Sequence, residues 1–307
     1  MGINVCAVIV TYNRKKLLQE CLEHVLAQKE ISDKDIIVVN NASSDGTKEM
    51  LATNFPNINT ICLEINTGGA GGFYTGIKQA FENGYDWIWL MDDDVIPESN
   101  SLAELLNITQ LDLHSSIGFL CSKVIAENRK SMNVPSIDKR PGENIYSEWD
   151  QYLEHSIVKV RSATFVSLLL SKEAVERVGY PIKEMFIWGD DTEYTMRITN
   201  EMPAFIVGKS TVIHKRKISA PPNIMTEDDP NRIKMHFKGI RNQIYINRYY
   251  FSKKKLCLYL IMLMVNMFKS FFSYNHRFIR FQIILKAIIA GFIFNPNVEK
   301  VDRKREV

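Results

Sequence analysis

Apolar positions in the first half of the chain follow two alternating rhythms. Val5–Val10 (VCAVIV) is a short β-rich apolar run, which predicts a buried strand. Lys15–Gln28 then carries Leu17, Leu18, Cys21, Leu22, Val25 and Leu26 at helical spacing. Ile36–Val39 (IIVV) predicts a second strand, and Asn40 to Gly46 supply turn chemistry and an N-cap for a helix over Thr47–Asn54. Ile58–Ile65 reads as a third strand, followed by a glycine-rich turn and a helix over Gly76–Asn83. Trp87–Met91 (WIWLM) reads as a fourth strand and stops at three aspartates. Strands alternating with helices predict a parallel sheet covered on both faces. Ligands of such sheets lie beyond the carboxyl ends of the strands, where each unusual motif of this chain falls.

Later segments are less regular. Ile117–Val124 and Ala163–Ser171 predict strands, and Lys172–Val178 a short helix. Residues 128–148 form a polar loop region with Pro135 and Pro141. A helix over Thr192–Thr199 follows, then short strands at Phe205–Val207 and Thr211–His214 and a basic linker, Lys215–Pro222. A boundary near residue 230 separates an α/β domain (1–230) from a helical region (231–307).

Charge sharpens that division. From Arg232 onward 16 Lys and Arg face three acids, a net of +13, whereas residues 1–231 carry a net of −10. The basic region also holds the apolar runs Leu256–Val265 and Phe281–Phe294, broken by Asn266, Lys269 and Lys286 before reaching the ~20 residues a spanning helix needs. Apolar faces combined with Lys and Arg suit helices lying on an anionic membrane surface. The alternative is packing on the first domain or on a second copy in a homo-oligomer. No nucleic-acid-binding motif accompanies the charge. At 307 residues, 46% hydrophobic and 24% charged, the chain is neither disordered nor fibrous. Five scattered cysteines with no C-x-x-C pair argue against a disulfide framework or zinc site and for a reducing compartment. Ile3–Val10 is too short for a signal peptide, and Cys6 stands where myristoylation needs Ser or Thr, so the chain is expected in the cytoplasm.

Four motifs carry chemistry. Asp92-Asp93-Asp94 repel one another unless a cation neutralises them, which suits Mg²⁺ or Mn²⁺ bridging to phosphate; the alternative is an acidic turn before the helix that Pro97 and Glu98 open. In Asn66-Thr67-Gly68-Gly69-Ala70-Gly71-Gly72-Phe73 the glycines permit close backbone approach to a nucleotide or sugar, or simply a tight turn. The stretch fits neither a dinucleotide fingerprint nor a Walker loop. Asp190 and Asp191, in Trp188-Gly189-Asp190-Asp191-Thr192-Glu193-Tyr194, suit a base with an oriented neighbour, or a first turn that complements the helix dipole. His214 ends a strand and is either structural or a ligand.

Taken in order, Thr11-Tyr12-Asn13-Arg14, VVNNASSDGT, NTGGAGG, WLMDDD and WGDDTEY resemble the family 2 inverting glycosyltransferases over roughly residues 3–250. The WGDDTEY stretch with its late histidine is most similar to the galactofuranosyltransferase branch, and rhamnosyltransferase-like members share much of it. The resemblance implies a GT-A fold, a Rossmann-like mixed sheet, with a helical basic extension. It implies that Thr11, Asn13 and Arg14 line the nucleotide pocket with Asn40 or Asn41 near the base, although the family usually has Asp in that pair. Asn66 and the loop from Gly68 and Gly69 to Gly72 would lie along the donor, and Asp92 and Asp93 at its diphosphate. Asp92, Asp94 and His214 would hold a divalent metal, Mn²⁺ or Mg²⁺. Asp191 would be the catalytic base, with Asp190, Trp188 and an aromatic platform at Phe165 on the acceptor side. Arg241 and Asn242 match a late Arg-Asn pair of the family.

The activity implied is transfer of galactofuranose from UDP-galactofuranose to a lipid-linked glycan at the inner face of the plasma membrane, in bacterial cell-surface polysaccharide synthesis. A rhamnosyltransferase using dTDP-rhamnose is the alternative within the class. A non-catalytic nucleotide-sugar or glycan-binding subunit is the alternative outside it.

Overall fold

The computed structural model describes residues 3–113, 115–142, 145–216, 222–272 and 275–301. Most of the expected linker Lys215–Pro222 lies outside the described residues. The chain runs β1 (Val5–Thr11), α1 (Lys15–Leu26), β2 (Ile36–Asn40), α2 (Thr47–Asn54), β3 (Asn59–Cys62), α3 (Gly68–Glu82), β4 (Trp87–Asp92), β5 (Val95–Pro97) and α4 (Ser101–Thr109). There follow β6 (Phe119–Ile125), β7 (Ser136–Ile137), β8 (Ile157–Ser162), β9 (Leu168–Ser171), α5 (Lys172–Val178), α6 (Asp190–Glu201) and β10 (Ala204–His214). Three long helices end the order: α7 (Pro230–Tyr250), α8 (Lys253–Ser270) and α9 (Arg277–Ile293).

The strands form one sheet in the order β3-β2-β1-β4-β9-β6-β10-β8-β7, with β5 paired to β10. β1, β2, β3 and β4 are parallel, as the alternation predicts. The sheet as a whole is mixed, because β9 runs antiparallel to both β4 and β6. β9 is an interior strand between β4 and β6, and apolar composition alone does not reveal its direction. Ala163–Ser167 precede β9 outside any strand. The two short strands expected near the end of the domain are one strand, β10, with an irregularity between Val207 and Thr211.

Alternation along β1 sends Ala7 and Ile9 to the face covered by α1 and α4, and Cys6, Val8 and Val10 to the face covered by α3 and α6. The glycine-rich stretch is helical rather than a turn: α3 begins at Gly68. A Cβ on Gly72 would stand 2.4 Å from Val10 Cγ1, and one on Gly76 2.3 Å from Val8 Cγ1. Small residues here let α3 lie directly on β1.

Helices α7–α9 share an apolar cluster of Ile233, Ile240, Ile244, Leu263, Ile284 and Ala287. Tyr245 and Ile246 of α7 instead pack with Ala70, Met185 and Met196 of the α/β half. Beyond α9 the chain returns to that half. Phe294 stacks on Arg241, whose guanidinium carbon lies 3.8 Å from the ring centre. Glu299 accepts hydrogen bonds from the Tyr180 amide (3.0 Å), Lys78 Nζ (2.8 Å) and the Tyr74 hydroxyl.

Candidate active site

The three aspartates stand where β4 gives way to β5. Antiparallel pairing of β5 with β10 sets Val95 opposite His214, and the Lys215 amide donates to the Asp94 carbonyl at 2.8 Å. That short ladder brings together side chains far apart in sequence. One ligand atom each from Asp92, Asp94 and His214 lies within 4.8 Å of the others. Asp93 points the other way and is 3% exposed. It accepts from Thr11 Oγ1 at 2.7 Å and from Arg14 Nη1 at 3.1 Å, and the same Arg14 nitrogen donates to Asp94 Oδ2 at 2.6 Å.

Whether a cation fits is decided by His214. Its Nδ1 lies 2.9 Å from Asn133 Oδ1, an acceptor, so Nδ1 carries the proton there. In the neutral ring Nε2 then turns a lone pair toward Asp94 Oδ1 at 3.0 Å. That carboxylate oxygen is buried and receives no aligned hydrogen bond. A proton on Nε2, which makes the ring an imidazolium, or a metal ion supplies the positive charge that these two atoms share. Ligand atoms ~2.1 Å from an octahedral ion stand about 3.0 Å apart when adjacent and about 4.2 Å apart when opposite. The three side chains are close enough to converge on a divalent ion, and two carboxylates with one imidazole suit Mn²⁺ among the hard cations.

Electrostatics agree. Burial, with the Asp94 charge adding to it, pushes the Asp92 carboxyl up to about 7. Burial raises Asp93 to about 6 against the pull of Arg14. Burial alone would raise Asp94 too, but the His214 ring and the Arg14 guanidinium hold it below the ordinary carboxylate value.

The second carboxylate pair opens α6. Asp190 is buried, and burial followed by the Asp191 charge pushes it well above the ordinary value; Asp92 contributes as well, so the two acidic groups feel one another. Asp191 is partly buried and also raised by burial, while its Oδ1 accepts from the Thr192 amide at 2.6 Å. The loop before them is unusual: Phe186, Trp188 and Gly189 all have positive φ, at 67°, 59° and 100°. Non-glycine residues rarely adopt such angles without external support. Asn242 of α7 provides it, donating its side-chain amide to the carbonyls of Met185 (2.9 Å), Ile187 (3.1 Å) and Trp188 (2.9 Å). Arg241 adds a bond to the Glu184 carbonyl at 2.7 Å and fixes the Asn242 amide by donating to its Oδ1. Farther along, Glu193 is held by Arg197 (2.9 Å) and the Tyr250 hydroxyl (2.6 Å), which ties α6 to the end of α7.

The glycine stretch meets this loop directly. Gly68 has φ +73°, and a Cβ there would stand 2.0 Å from the Phe186 carbonyl oxygen, which accepts from the Ala70 amide. Asn41 bonds the Gly68 carbonyl (2.8 Å) and the Thr67 amide (2.8 Å), and Asn66 Oδ1 accepts from the Gly68 amide. Asn40 Oδ1 accepts from the Ser43 amide, and Asn13 Oδ1 from the Ser44 amide. Thr11, Asn40, Asn41 and Asn66 thus spend side-chain polar groups shaping the loops at the strand ends, while Asn13 and Arg14 are exposed. Gly69 has nothing within 4 Å of a built Cβ.

Phe165 is not available as a sugar platform. It is 3% exposed, with its ring 4.7 Å from Phe73 and 6.1 Å from Tyr194. An aromatic residue in an irregular stretch before a strand looks the same in sequence whether it faces solvent or core. Trp188 is half-buried over Gly239, with its ring 4.8 Å from His236. Asn133 was not among the residues singled out from sequence; it sits in a polar loop, and no local pattern marks it.

Residues 6–159 match the family model described as "Glycosyl transferase family 2". The chain belongs to glycosyl transferase family 2. Among relatives of this family 2 chain, galactofuranosyltransferase GlfT1 of Mycolicibacterium smegmatis is 30% identical over 215 residues, 63% of this chain and 65% of that protein. The dTDP-rhamnosyl transferase RfbF of Shigella flexneri is 29% identical over 203 residues, 65% of this chain and 64% of that one. The chain thus spans about 65% of the length of the curated relatives it matches. In structure, the family 2 chain resembles GalNAc-T7 solved with UDP, GalNAc and Mn²⁺, at a TM-score of 0.58 and 12% identity, covering 82% of this chain and 49% of that one. The fold is GT-A, with a helical C-terminal region.

Proposed function

We propose that this family 2 chain is a metal-dependent inverting glycosyltransferase that moves galactofuranose from UDP-galactofuranose to a lipid-linked glycan. The observation that carries the reading is the cluster of Asp92, Asp94 and His214 at the end of β4, with Asp190 and Asp191 at the start of α6 near enough for the Asp92 charge to raise Asp190. The similarity to GlfT1 supports the donor.

Asp92, Asp94 and His214 would hold Mn²⁺ or Mg²⁺, which when bound supplies positive charge against the diphosphate leaving group. The ends of β1 and β2 and the start of α3, with Asn13, Arg14 and Gly69 at the surface, form the donor side. Asp93, bonded to Thr11 and Arg14, keeps the three-aspartate turn in place from behind. On the acceptor side, Trp188, half-buried against Gly239 and His236, would offer the open part of its ring to sugar. Asp191, raised by burial, takes the proton of the acceptor hydroxyl as that oxygen attacks the anomeric carbon. The bond to the diphosphate oxygen breaks as the new one forms on the opposite face, which inverts the centre in one displacement. Asp190, buried beside Asp191 and raised well above the ordinary value, discourages loss of a proton from its own carboxyl and so leaves the negative charge to its neighbour.

The reading assigns residues 1–230 to catalysis and 231–307 to attachment at the cytoplasmic face of the membrane, where a lipid-linked acceptor resides. No helix among the described residues is long and apolar enough to cross a membrane. Transfer of rhamnose from dTDP-rhamnose is the second reading, favoured by the similarity to RfbF. An intact metal cluster argues against a non-catalytic binding subunit. The test is nucleotide release from a panel of nucleotide sugars with Mn²⁺, Mg²⁺ or EDTA. Metal-dependent turnover of UDP-galactofuranose is expected, with Asp191→Asn reducing it ~10²–10⁴-fold. Turnover of dTDP-rhamnose alone would select the second reading, and near-normal turnover by Asp191→Asn would remove the assignment of the base.

A further inference from the structure

Helix α8 is poorly explained by packing within one chain. Of its 18 residues only Leu263 and Ser270 are buried. Leu258, Ile261, Val265 and Phe268 are exposed at steps of three and four, a single helical stripe that continues to Phe272 beyond the helix end. Phe268 and Phe272 are 64% and 79% exposed. Helix α9 presents a second stripe, Phe278, Leu285, Ile289 and Phe292. Exposed apolar surface of this extent marks an interaction site.

Charge identifies the partner. Between residues 232 and 298 there are twelve Lys and Arg and no Asp or Glu. Arg241 and Arg280 are buried, but Lys253, Lys254 and Lys255 precede the α8 stripe, Lys269 follows it, and Arg277 and Lys286 flank that of α9, all exposed. A second copy of the same face would meet it with the same sign, whereas phosphate headgroups complement it. The start of α8 and the end of α9 also have side-chain partners for their backbone groups, which are costly to leave bare in a bilayer. Ser252 caps α8. Arg248 Nη1 donates to the carbonyls of Gly291 (3.0 Å) and Phe292 (2.9 Å) at the end of α9, where Phe292 and Ile293 project.

We propose that α8 and α9 form the docking surface for an anionic lipid bilayer. The helices lie in the headgroup plane, with both stripes in the acyl boundary and the lysines at the phosphates. This specifies the surface behind the membrane attachment proposed above, and it stands or falls apart from the chemistry.

The test is co-sedimentation of the whole chain with vesicles of phosphatidylcholine, alone or mixed with phosphatidylglycerol. Binding to the mixed vesicles is expected, weakening with salt and weak on phosphatidylcholine alone. Lys253→Gln/Lys254→Gln/Lys255→Gln should lower the partition coefficient roughly a hundredfold. Phe268→Ser/Phe272→Ser should lower it at least ~10-fold. Both sets alter exposed side chains, so the thermal midpoint and nucleotide release with a soluble acceptor should stay near wild type. Absence of wild-type binding to mixed vesicles, or binding that ignores both variants, overturns the proposal. So does a lipid-free dimer in sedimentation that Phe268→Ser/Phe272→Ser dissociates, which would assign the face to a second copy. A chain that binds vesicles but turns over no nucleotide sugar keeps this surface and loses the transferase reading.

Discussion

The Asn242 side-chain amide donates to the Trp188 carbonyl at 2.9 Å, so a residue of α7 holds the backbone immediately before the two α6 carboxylates. Two further carbonyls of the same loop share that amide. Asn242→Ala removes a donor from the part-buried Ile187 and Trp188 carbonyls, at about 1–3 kcal/mol for each group left unpaired, while the Met185 carbonyl keeps the Ile187 amide and Arg241. The thermal midpoint should drop by several degrees. Because the loop orients Asp190 and Asp191, turnover should fall by on the order of 10²-fold, with donor binding less affected. Nucleotide-release kinetics alongside thermal unfolding separate the two effects; unchanged turnover would mean the loop holds its shape without the clamp.

Asn133 touches none of the carboxylates, yet it fixes which nitrogen of His214 carries the proton. Asn133→Ala should weaken Mn²⁺ binding roughly 10–100-fold, the usual cost of losing a partner behind a metal-binding histidine. His214→Ala should weaken it at least as much. Calorimetric titration of Mn²⁺ into both variants measures this, and wild-type affinity in His214→Ala would exclude the ring as a ligand.

Burial raises Asp92 to about 7 and Asp93 to about 6, from about 3.9 in an unfolded chain. A folded state that binds more protons than the unfolded one loses stability as pH rises through the interval between the two values. In metal-free protein these groups favour the fold fully below pH ~4 and progressively less up to pH ~7. Mn²⁺ competes with the proton on Asp92, so its stabilising effect should grow over the same interval and level off above pH ~7. Thermal midpoints at pH 5 and 7.5, with EDTA and with Mn²⁺, provide the comparison. An equal Mn²⁺ increment at both values would contradict the carboxylate assignment.

Gly68 and Gly69 are neighbours with opposite expectations. Gly68→Ala combines φ +73° with a 2.0 Å approach to the Phe186 carbonyl and should destabilise the protein severely, by several kcal/mol or about 3 at least. Gly69→Ala meets nothing and stands in the first turn of α3, so stability should be unchanged or slightly raised. An increase in donor KM for Gly69→Ala would then report contact with the donor rather than a packing defect. Unchanged KM would assign the glycine to the helix start alone.

β1, β2 and β4 and the helices between the early strands follow from period and composition, because those strands are buried on both faces, whereas β3 is a half-exposed strand shorter than its apolar run. The direction of β9 does not follow from them: LLLS packs equally well parallel or antiparallel, and its neighbours β4 and β6 decide. Asp92, Asp94 and His214 were legible as residues, but their meeting depends on the β5–β10 ladder, a three-residue strand too short to register as a pattern. Phe165 failed as a surface aromatic because Phe73 and Tyr194, distant in sequence, cover it. The Arg241-Asn242 pair was visible as a motif, while its role required the positive-φ loop that it supports. Asn41, expected near the base, and Asn66, expected along the donor, bond the backbone of the turn that leads into α3.

The chain crosses between the α/β half and the terminal helices more than once. Tyr245 and Ile246 pack against the α/β half, and Glu299 returns to it at Lys78, Tyr74 and Tyr180. These attachments lie on both sides of the α8–α9 pair in sequence and tie it to the α/β half. Any tilt imposed on those two helices from outside is a tilt of the whole molecule, so the direction in which Asp191 faces is set by how the helices rest.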